Sequence, residues 1–182
     1  MSERRWETID SETAYSCGGF DIVNETVELP DGTQTEFDYL SEGESVVILP
    51  FTDEGEVVTI DEWRHAVKRE NHGLPAGSME ATEEPERAVR RELREETGYE
   101  AGEIEHLETF EPANGYCNST FHYYVAHGCE PTAEQELDTD ETIDVSTTTF
   151  EELLGAVRDG KLQDGRSATG IMYYALFGDE EP

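Results

Sequence analysis

The chain has 182 residues, 35% of them apolar, and carries 44 acidic against 12 basic side chains, a formal net charge of −32. This charge excludes nucleic acid and anionic membrane surfaces as expected partners, and the length indicates one domain with room for a small extra sheet. Apolar runs such as SVVILPF and FHYYVA exclude a disordered acidic chain, so we expect a folded, halophilic protein whose charges are screened by concentrated salt, with a Debye length of about 3 Å at 1 M.

The first part of the chain is predicted to form strands. Residues 20–40 alternate in polarity on both sides of the turn PDG and therefore predict a hairpin. Two apolar runs, at 45–51 and 56–63, predict two further strands joined by the turn TDEG. We assign residues 1–42 to a β-rich N-terminal segment and residues 43–182 to the main domain.

A helix is predicted over residues 85–97, after a loop rich in glycine and proline. A proline suits its first turn, and Gly98 suits the position just past its end. On such a helix Glu92, Glu95 and Glu96 lie three and four positions apart and share one face. Each like-charged pair at that spacing costs roughly 0.2–0.5 kcal/mol, so this face opposes its own formation.

The rest of the chain is predicted to mix strands with helices. Thr149 and Glu152 form a capping-box pattern at a helix start, and residues 130–141 form an acidic loop. Strands followed by helices in mixed order indicate an α+β or α/β sandwich. The predicted elements are strands near 103–111, 120–127 and 142–148, a helix from 149 to 160, and a helix near 167–177.

The acidic helix face predicts a cation site. Val89 and Leu93 lie beside the three glutamates, so these carboxylates border the buried side of the helix. Carboxylates near a core need arginine or a multivalent cation as a partner. Hard divalent ions such as Mg²⁺ bind carboxylate and carbonyl oxygens together with substrate phosphates.

The loop before the helix and the basic residues around it support the same prediction. Ala76 and Gly77 are small enough for a close backbone approach, and the Ala76 carbonyl is a candidate oxygen ligand. Seven of the 12 basic residues fall between Arg64 and Arg94, which indicates an anion site. The alternative is ion pairing of these arginines with neighbouring surface glutamates.

The segment GSMEATEEPERAVRRELREETGY, residues 77–99, resembles the Nudix box, G-x5-E-x7-R-E-U-x-E-E-x-G-U, in which U is a bulky apolar residue. Every fixed position matches, and only Tyr99 is a looser member of its class. Weaker similarity to the ADP-ribose pyrophosphatase branch extends to VVILPFTDEGEVVTIDEWRHAV, LPAGSME and DTDETIDV. The resemblance implies an α/β (α+β) fold, namely a Nudix-type α/β/α sandwich with a mixed sheet, preceded by a small N-terminal antiparallel sheet that commonly mediates a homodimer.

The resemblance also implies a metal site. Glu92 and Glu96 match the principal Mg²⁺ ligands, with two or three ions expected and Mn²⁺ as a possible substitute. Glu95 matches a further ligand or a supporting charge, and the Ala76 carbonyl completes the site. Glu96 and Glu95 are accordingly assigned catalytic as well as metal-binding roles. The structural positions of the motif are Gly77, Glu83, Arg91 and Gly98, of which Glu83 and Arg91 are expected to pair.

The base and the substrate-binding residues are less sharply defined by the resemblance. Glu141 is the best match to the late-loop glutamate that acts as base or metal partner, with Asp138 and Asp140 as alternatives. Arg64 matches a position placed for the diphosphate, with a surface ion pair as the alternative. Trp63 and Tyr116 are candidates for stacking on a base, with core packing as the alternative.

The implied activity is hydrolysis of a nucleoside diphosphate linked to another group, with ADP-ribose giving AMP and ribose 5-phosphate as the favoured reaction. Nucleotide sugars such as GDP-mannose or UDP-glucose come second, and dinucleoside polyphosphates or oxidised nucleotides third. Gly73 stands where this branch usually has a glutamate before LPAG, which leaves the substrate open. Other classes are a catalytically silent ligand-sensing module and a divalent-ion buffer, which predicts many weak ion sites.

The location of the protein is predicted from its ends and its cysteines. The N-terminal residues MSERRWETID contain no apolar signal segment. Cys17, Cys117 and Cys129 are odd in number and lack metal-binding spacing, so reduced thiols are expected. We therefore expect a soluble, cytoplasmic protein.

Overall fold

A computed structural model describes residues 4–139 and 141–178, which form twelve strands and three helices. Asp140, an alternative to Glu141 in the sequence analysis, lies outside the described residues. The strands are β1 Glu7–Ser16, β2 Asp21–Glu28, β3 Gln34–Ser41, β4 Ser45–Pro50, β5 Glu56–Arg64, β6 Arg69–Gly73, β7 Ala76–Ser78, β8 Tyr99–Glu100, β9 Glu103–Phe110, β10 Phe121–His127, β11 Glu130–Pro131 and β12 Ile143–Thr149. The helices are α1 Pro85–Thr97, α2 Phe150–Arg158 and α3 Gly165–Phe177.

The chain divides into two compact units. The first contains the described residues up to Glu44 together with Glu111–Thr120, and the second contains the remaining described residues. In the first unit β1, β2 and β3 form an antiparallel sheet. The hairpin predicted over residues 20–40 is confirmed as β2 and β3. Strand β1 was not predicted, because its polar side chains are all exposed and give no apolar pattern.

The second unit is built around a mixed sheet of order β7-β4-β10-β9. Strands β4 and β10 run parallel, whereas β4 pairs with β7, and β10 with β9, in antiparallel fashion. A second sheet of order β12-β5-β6 is antiparallel throughout. Strands β8 and β11 form a further short pair.

Strand β4 lies between two helical layers. Its residues Val46 and Ile48 belong to an apolar cluster with Leu93 of α1. The alternate residues Val47 and Leu49 belong to a second cluster, with Leu153 of α2 and Ile171 of α3. Successive strand side chains point to opposite faces, so helices cover both faces of this sheet. The predicted α/β/α sandwich with a mixed sheet is confirmed.

The helices begin and end close to where the sequence placed them. Helix α1 covers the predicted residues 85–97, and Gly98 after it adopts a left-handed φ of 74°. A Cβ atom at Gly98 would also lie 2.5 Å from the Ala133 carbonyl oxygen, so only glycine fits. The capping box at Thr149 is present at the start of α2. Helix α3 starts two residues earlier than predicted, because Asp164 caps it.

The sequence predicts a loop before α1, and this prediction is wrong, because the structure has strands β6 and β7 there. Strand β6 pairs with β5, and β7 pairs with β4, on either side of Pro75. These segments are short and contain charged or small residues, so no apolar alternation marks them. Their strand conformation comes from pairing with buried neighbours, which a local pattern does not contain.

Cys17, Cys117 and Cys129 are all free thiols. Across residues 4–139 and 141–178, none of the helices combines the length and apolar character needed to cross a membrane.

Candidate active site

Helix α1 turns two glutamates toward the interior. Glu92 and Glu96 lie one helical turn apart and are 8% and 3% exposed. Val89 and Leu93 on the same side are fully buried, so the apolar stripe that docks α1 on the sheet carries the two carboxylates with it. Both glutamates are therefore fixed by packing, although neither is apolar.

Glu96 is the more deeply buried of these two carboxylates. Its Oε2 atom accepts a hydrogen bond from the backbone N–H of Ala76, at 2.9 Å. The pKa of Glu96 is raised to about 8, first by burial and also by the nearby carboxylates of Glu92, Glu141 and Glu62, against the lowering effect of the Ala76 hydrogen bond. Without a cation, Glu96 thus holds a proton around neutral pH.

Glu92 lies directly against the loop that precedes α1. A Cβ atom at Gly77 would lie 2.0 Å from the carboxyl carbon of Glu92, so only glycine allows this approach of backbone and carboxylate. Burial raises the pKa of Glu92, while Arg91 opposes that rise. The loop and the helix face are therefore fitted to each other at this carboxylate.

Glu83 and Arg91 form a two-point ion pair. Arg91 Nη2 donates to Glu83 Oε2 at 2.8 Å, and Arg91 Nε donates to Glu83 Oε1 at 3.2 Å. Arg91 Nη2 also donates to the carbonyl of Ser78, at 3.0 Å. These hydrogen bonds lower the pKa of Glu83 and raise that of Arg91. The arginine thereby ties the loop to the helix.

The same guanidinium lies between the carboxylates that repel each other on α1. Arg91 Nη1 donates to Glu92 Oε1 at 2.7 Å and to Glu95 Oε2 at 3.1 Å. The side chain of Glu95 is one-third exposed, unlike those of Glu92 and Glu96. Arginine therefore compensates Glu92 and Glu95, while the described contacts of Glu96 leave its charge without an arginine partner.

The acidic loop brings Glu141 to the same cluster. The loop is attached to the end of α1, since Gln135 Nε2 donates to the Glu96 carbonyl at 2.7 Å and the Glu136 N–H donates to the Glu95 carbonyl at 2.9 Å. The charge of Glu141 raises the pKa of Glu92 and Glu96. Its own Oε2 accepts a hydrogen bond from the N–H of Asp138, whose side chain is exposed.

Glu62 is a member of the cluster that the sequence analysis missed. It is 7% exposed, and its Oε2 lies 2.6 Å from Nη2 of Arg64. Burial raises the pKa of Glu62, with Glu141 adding to the rise, whereas Arg64 lowers it. Alternation along β5 places residues 62 and 64 on one face, but this pattern alone does not distinguish Glu62 from the many other acidic residues of the chain. The partner of Arg64 is thus a buried glutamate.

Trp63 and Tyr116 are both exposed, so the alternative of core packing is wrong for both. Trp63 lies between Glu62 and Arg64 in sequence, hence on the opposite face of β5, and is 46% exposed. Its Nε1 donates to Nδ1 of His65 at 3.4 Å. Tyr116 belongs to the first unit and is 66% exposed. Stacking on a base stays a prediction for both.

The donor chemistry of the cluster fits a hard divalent cation. Four carboxylates influence one another here, and those of Glu62, Glu92 and Glu96 have raised pKa values because burial disfavours their charged forms. In the described part of the chain no group of three or more His, Cys, Asp or Glu side chains is arranged to hold a metal ion by itself. A cation would supply the missing positive charge, and Glu92 and Glu96 stay the predicted ligands.

Comparisons with known proteins give this chain clear relatives. The NUDIX domain family matches residues 42–168. An ADP-ribose pyrophosphatase of Bacillus subtilis (strain 168) is 33% identical over 177 residues, 97% of this chain and 96% of the relative. A methanol dehydrogenase activator of Bacillus methanolicus is 29% identical over 171 residues, 93% and 92% of the two chains. A crystal structure of an ADP compounds hydrolase shares the fold, with a TM-score of 0.85 at 19% identity, over 97% of this chain and 96% of that one.

The raised pKa of Glu96 predicts how stability depends on pH when no metal is present. The folded state holds a proton on Glu96 up to about pH 8, whereas the unfolded state releases it near the ordinary glutamate pKa of 4.5. Stability is therefore full below the unfolded pKa and is lost as pH rises through the folded pKa. Glu96→Gln keeps a hydrogen-bond acceptor and carries no charge, so it should lack this loss.

The measurement is urea unfolding in a chelator at several pH values between about 5 and 8. We expect the free energy of unfolding to fall more steeply with pH for the wild type than for Glu96→Gln, by up to a few kcal/mol, since one pKa unit corresponds to about 1.4 kcal/mol. Glu151→Gln, at an exposed position of α2, should keep the wild-type slope. Equal slopes for wild type and Glu96→Gln would contradict the burial of an unpaired charge.

Proposed function

This chain belongs to the Nudix family, and we propose that it uses Mg²⁺ to hydrolyse the diphosphate linkage of ADP-ribose, giving AMP and ribose 5-phosphate. The observation that carries the proposal is the burial of Glu92 and Glu96 side by side against a glycine loop, where the described contacts of Glu96 include no arginine. A bound cation would supply the positive charge that the carboxylates lack, and the same cation would bind the negatively charged diphosphate.

The choice of substrate is supported by the extent of the likeness to one relative. The ADP-ribose pyrophosphatase of B. subtilis aligns with nearly the whole of this chain, so the likeness includes both compact units as well as the Nudix box. A nucleotide sugar of the GDP-mannose or UDP-glucose type is the second candidate. Gly73, where a glutamate was expected, is the position that keeps this candidate open.

In the proposed mechanism Glu92 and Glu96 hold the cation, with Glu95 and the Ala76 carbonyl in support. Two or three ions, with Mn²⁺ as a substitute for Mg²⁺, are part of the proposal. Bound metal would neutralise diphosphate charge and act as a Lewis acid. Glu83 and Arg91 keep the loop and helix in register, and their pairing geometry supports this role.

The proton in this mechanism goes to a carboxylate of the chain. Water attacks one phosphorus of the diphosphate, the bond from that phosphorus to the bridging oxygen breaks, and the bridging oxygen leaves with the second phosphate. Glu141 accepts the proton from the attacking water in this proposal, because its charge acts on both Glu92 and Glu96 while the residue itself is only partly buried. Arg64 binds oxygens of the diphosphate.

An activity panel tests this function. Purified protein in about 1–2 M KCl with Mg²⁺ is given ADP-ribose, GDP-mannose, UDP-glucose and a dinucleoside polyphosphate, and the phosphorylated products are quantified. We expect ADP-ribose to be cleaved with the highest kcat/KM. Glu96→Gln and Glu92→Gln should each lower kcat by about 100-fold or more, because the charge that holds the metal is lost. Glu151→Gln is the matched control and should stay at the wild-type rate.

The other outcomes separate the alternatives. Preferred cleavage of GDP-mannose or UDP-glucose would replace the substrate and keep the enzyme class. Cooperative binding of Mg²⁺ and a non-hydrolysable ADP-ribose analogue without any turnover would indicate a ligand-sensing module. Many weak Mg²⁺ sites of similar affinity, unchanged in Glu96→Gln, would indicate an ion buffer.

We also propose that the β-rich N-terminal segment, residues 1–42, mediates a homodimer. Its support is the exposure of large apolar side chains along and beside β1, with Trp6, Ile9 and Tyr15 each about half exposed. Light scattering should give twice the chain mass of 20.5 kDa. Ile9→Asp should shift the protein toward monomer by placing a charge in the interface, whereas Leu176→Asp at an exposed position of α3 should not. A monomeric wild type would contradict the proposal.

The strongly negative net charge of the chain supports a high-salt cytoplasm as its environment. A net charge of −32 on 182 residues destabilises the folded state by self-repulsion. The melting temperature should rise steeply between about 0.1 M and 1 M KCl, where the Debye length falls from about 10 Å to about 3 Å, and level off above that. A melting temperature that is flat or falls over this range would contradict adaptation to salt.

A further inference from the structure

A small pocket beside the carboxylate cluster contains two arginines, of which only one was expected. It is formed by the end of β5, by β6 and by the start of α3, and its charged lining residues include Glu62, Arg64, Asp164 and Arg166. Arg64 matches a substrate-binding position of the family, whereas Arg166 lies about a hundred residues later in the chain. The fold therefore adds a second guanidinium to this pocket.

Each of the two arginines is held by its own carboxylate. Arg64 Nη2 lies 2.6 Å from Glu62 Oε2, and Arg166 Nε donates to Asp164 Oδ1 at 3.3 Å. The side chains of Arg64 and Arg166 are 33% and 27% exposed, while those of Glu62 and Asp164 are 9% and 14% exposed. The carboxylates are thus the more buried partners of the two pairs, and the guanidiniums are the more exposed ones.

The start of α3 is fixed firmly enough to place Arg166. Asp164 caps the helix by accepting from the N–H and the hydroxyl of Ser167, at 3.2 and 2.6 Å. The Ser167 hydroxyl oxygen in turn accepts from the N–H of Leu74, at 2.9 Å. A Cβ atom at Gly73 would lie 2.4 Å from that hydroxyl. This explains why Gly73 is glycine here, since a larger side chain would push α3 and Arg166 away.

The two guanidiniums are close enough to repel each other. Burial lowers the pKa of Arg64, and the charge of Arg166 lowers it further. Within residues 4–139 and 141–178, the contacts described above engage only a small part of the five N–H donors that each guanidinium carries. Two adjacent cations with free donors are the arrangement that recognises an anion with several oxygens.

The pocket also adjoins the residues assigned to the metal. The charge of Glu62 raises the pKa of Glu96, and the charge of Glu96 raises the pKa of Arg64. An anion bound by the arginines would therefore lie next to the cation held by Glu92 and Glu96. A diphosphate has this character, because its oxygens can bridge a metal and arginine donors.

We propose that Arg64 and Arg166 together bind the diphosphate of the substrate, with Glu62 and Asp164 as positioning residues that hold the two guanidiniums. The inference rests on the proposed function for the identity of the anion. Arg166 is then a substrate-binding residue contributed by α3, outside the Nudix box. Gly73 is part of the same arrangement, since its lack of a side chain lets α3 approach.

The first test measures binding of inorganic pyrophosphate by calorimetry, in a chelator and about 1 M KCl. The salt removes long-range effects of charge, because the Debye length there is about 3 Å. Arg166→Gln should bind pyrophosphate about 10-fold or more weakly than wild type, which corresponds to the loss of charge-assisted hydrogen bonds. Arg158→Gln removes an exposed arginine of α2 that pairs with Asp159, and it should bind like wild type.

Two further variants separate binding from folding. Arg166→Lys keeps the charge with a different donor geometry and should recover part of the affinity. The double variant Arg64→Gln/Arg166→Gln should lose less than the sum of the two single losses, because both side chains contact one anion. Melting temperatures of all variants show whether a loss comes from unfolding. Equal affinities of Arg166→Gln and Arg158→Gln, both folded, would overturn the proposal.

The second test uses turnover and distinguishes this proposal from the proposed function. With ADP-ribose and Mg²⁺, Arg166→Gln should raise KM by about 10-fold with a smaller effect on kcat, as loss of ground-state binding requires. An unchanged KM in an active enzyme would overturn the two-arginine site. If ADP-ribose is not cleaved at all but pyrophosphate binding still depends on Arg166, the proposed substrate fails while the anion site stands.

Discussion

Arg91 is the residue through which the loop, the helix and the acidic cluster are held together. Its guanidinium contacts Glu83 at two points, the Ser78 carbonyl, Glu92 and Glu95. Glu83 also accepts a hydrogen bond from the backbone N–H of Glu80, at 3.0 Å. One partly buried cation therefore compensates a helix face that would otherwise repel itself. Removing it would leave the buried Glu83 with only the Glu80 N–H and a longer contact to the exposed Arg87, at 3.7 Å, a costly situation for an ion.

The candidate site is defined by a charge that Arg91 does not compensate, that of Glu96. Glu96 is 3% exposed and accepts only a backbone N–H among the described contacts, while the carboxylates of Glu62, Glu92 and Glu141 all raise its pKa. Such an arrangement lowers stability in the absence of a cation, and the apolar packing of Val89 and Leu93 holds it in place nevertheless. Destabilising charge held by a rigid core is typical of functional sites, where activity is favoured over stability.

The site is assembled from segments far apart in the chain. Helix α1 supplies Glu92 and Glu96, the acidic loop supplies Glu141, and β5 supplies Glu62 and Arg64. Hydrogen bonds from side chains to the backbone connect neighbouring segments, such as the one that the Gln135 side-chain amide donates to the Glu96 carbonyl. Helix α3 is attached in the same way through Ser167 and the Leu74 N–H. The charged groups thus occupy fixed positions before any ligand is bound, which is the condition for electrostatic stabilisation of a reaction.

The sequence by itself determined the elements whose signals are local, and the tertiary structure decided the rest. Proline at the start and Gly98 at the end set α1, and the spacing of Glu83, Arg91, Glu92 and Glu96 identified the family, because these positions lie within a few helical turns. Strands β1, β6 and β7 escaped prediction, since pairing with neighbours rather than apolar alternation makes them strands. Glu62 and Arg166 escaped for a related reason. A carboxylate in an acidic chain, or an arginine on a late helix, gains meaning only when the fold places it beside another charge.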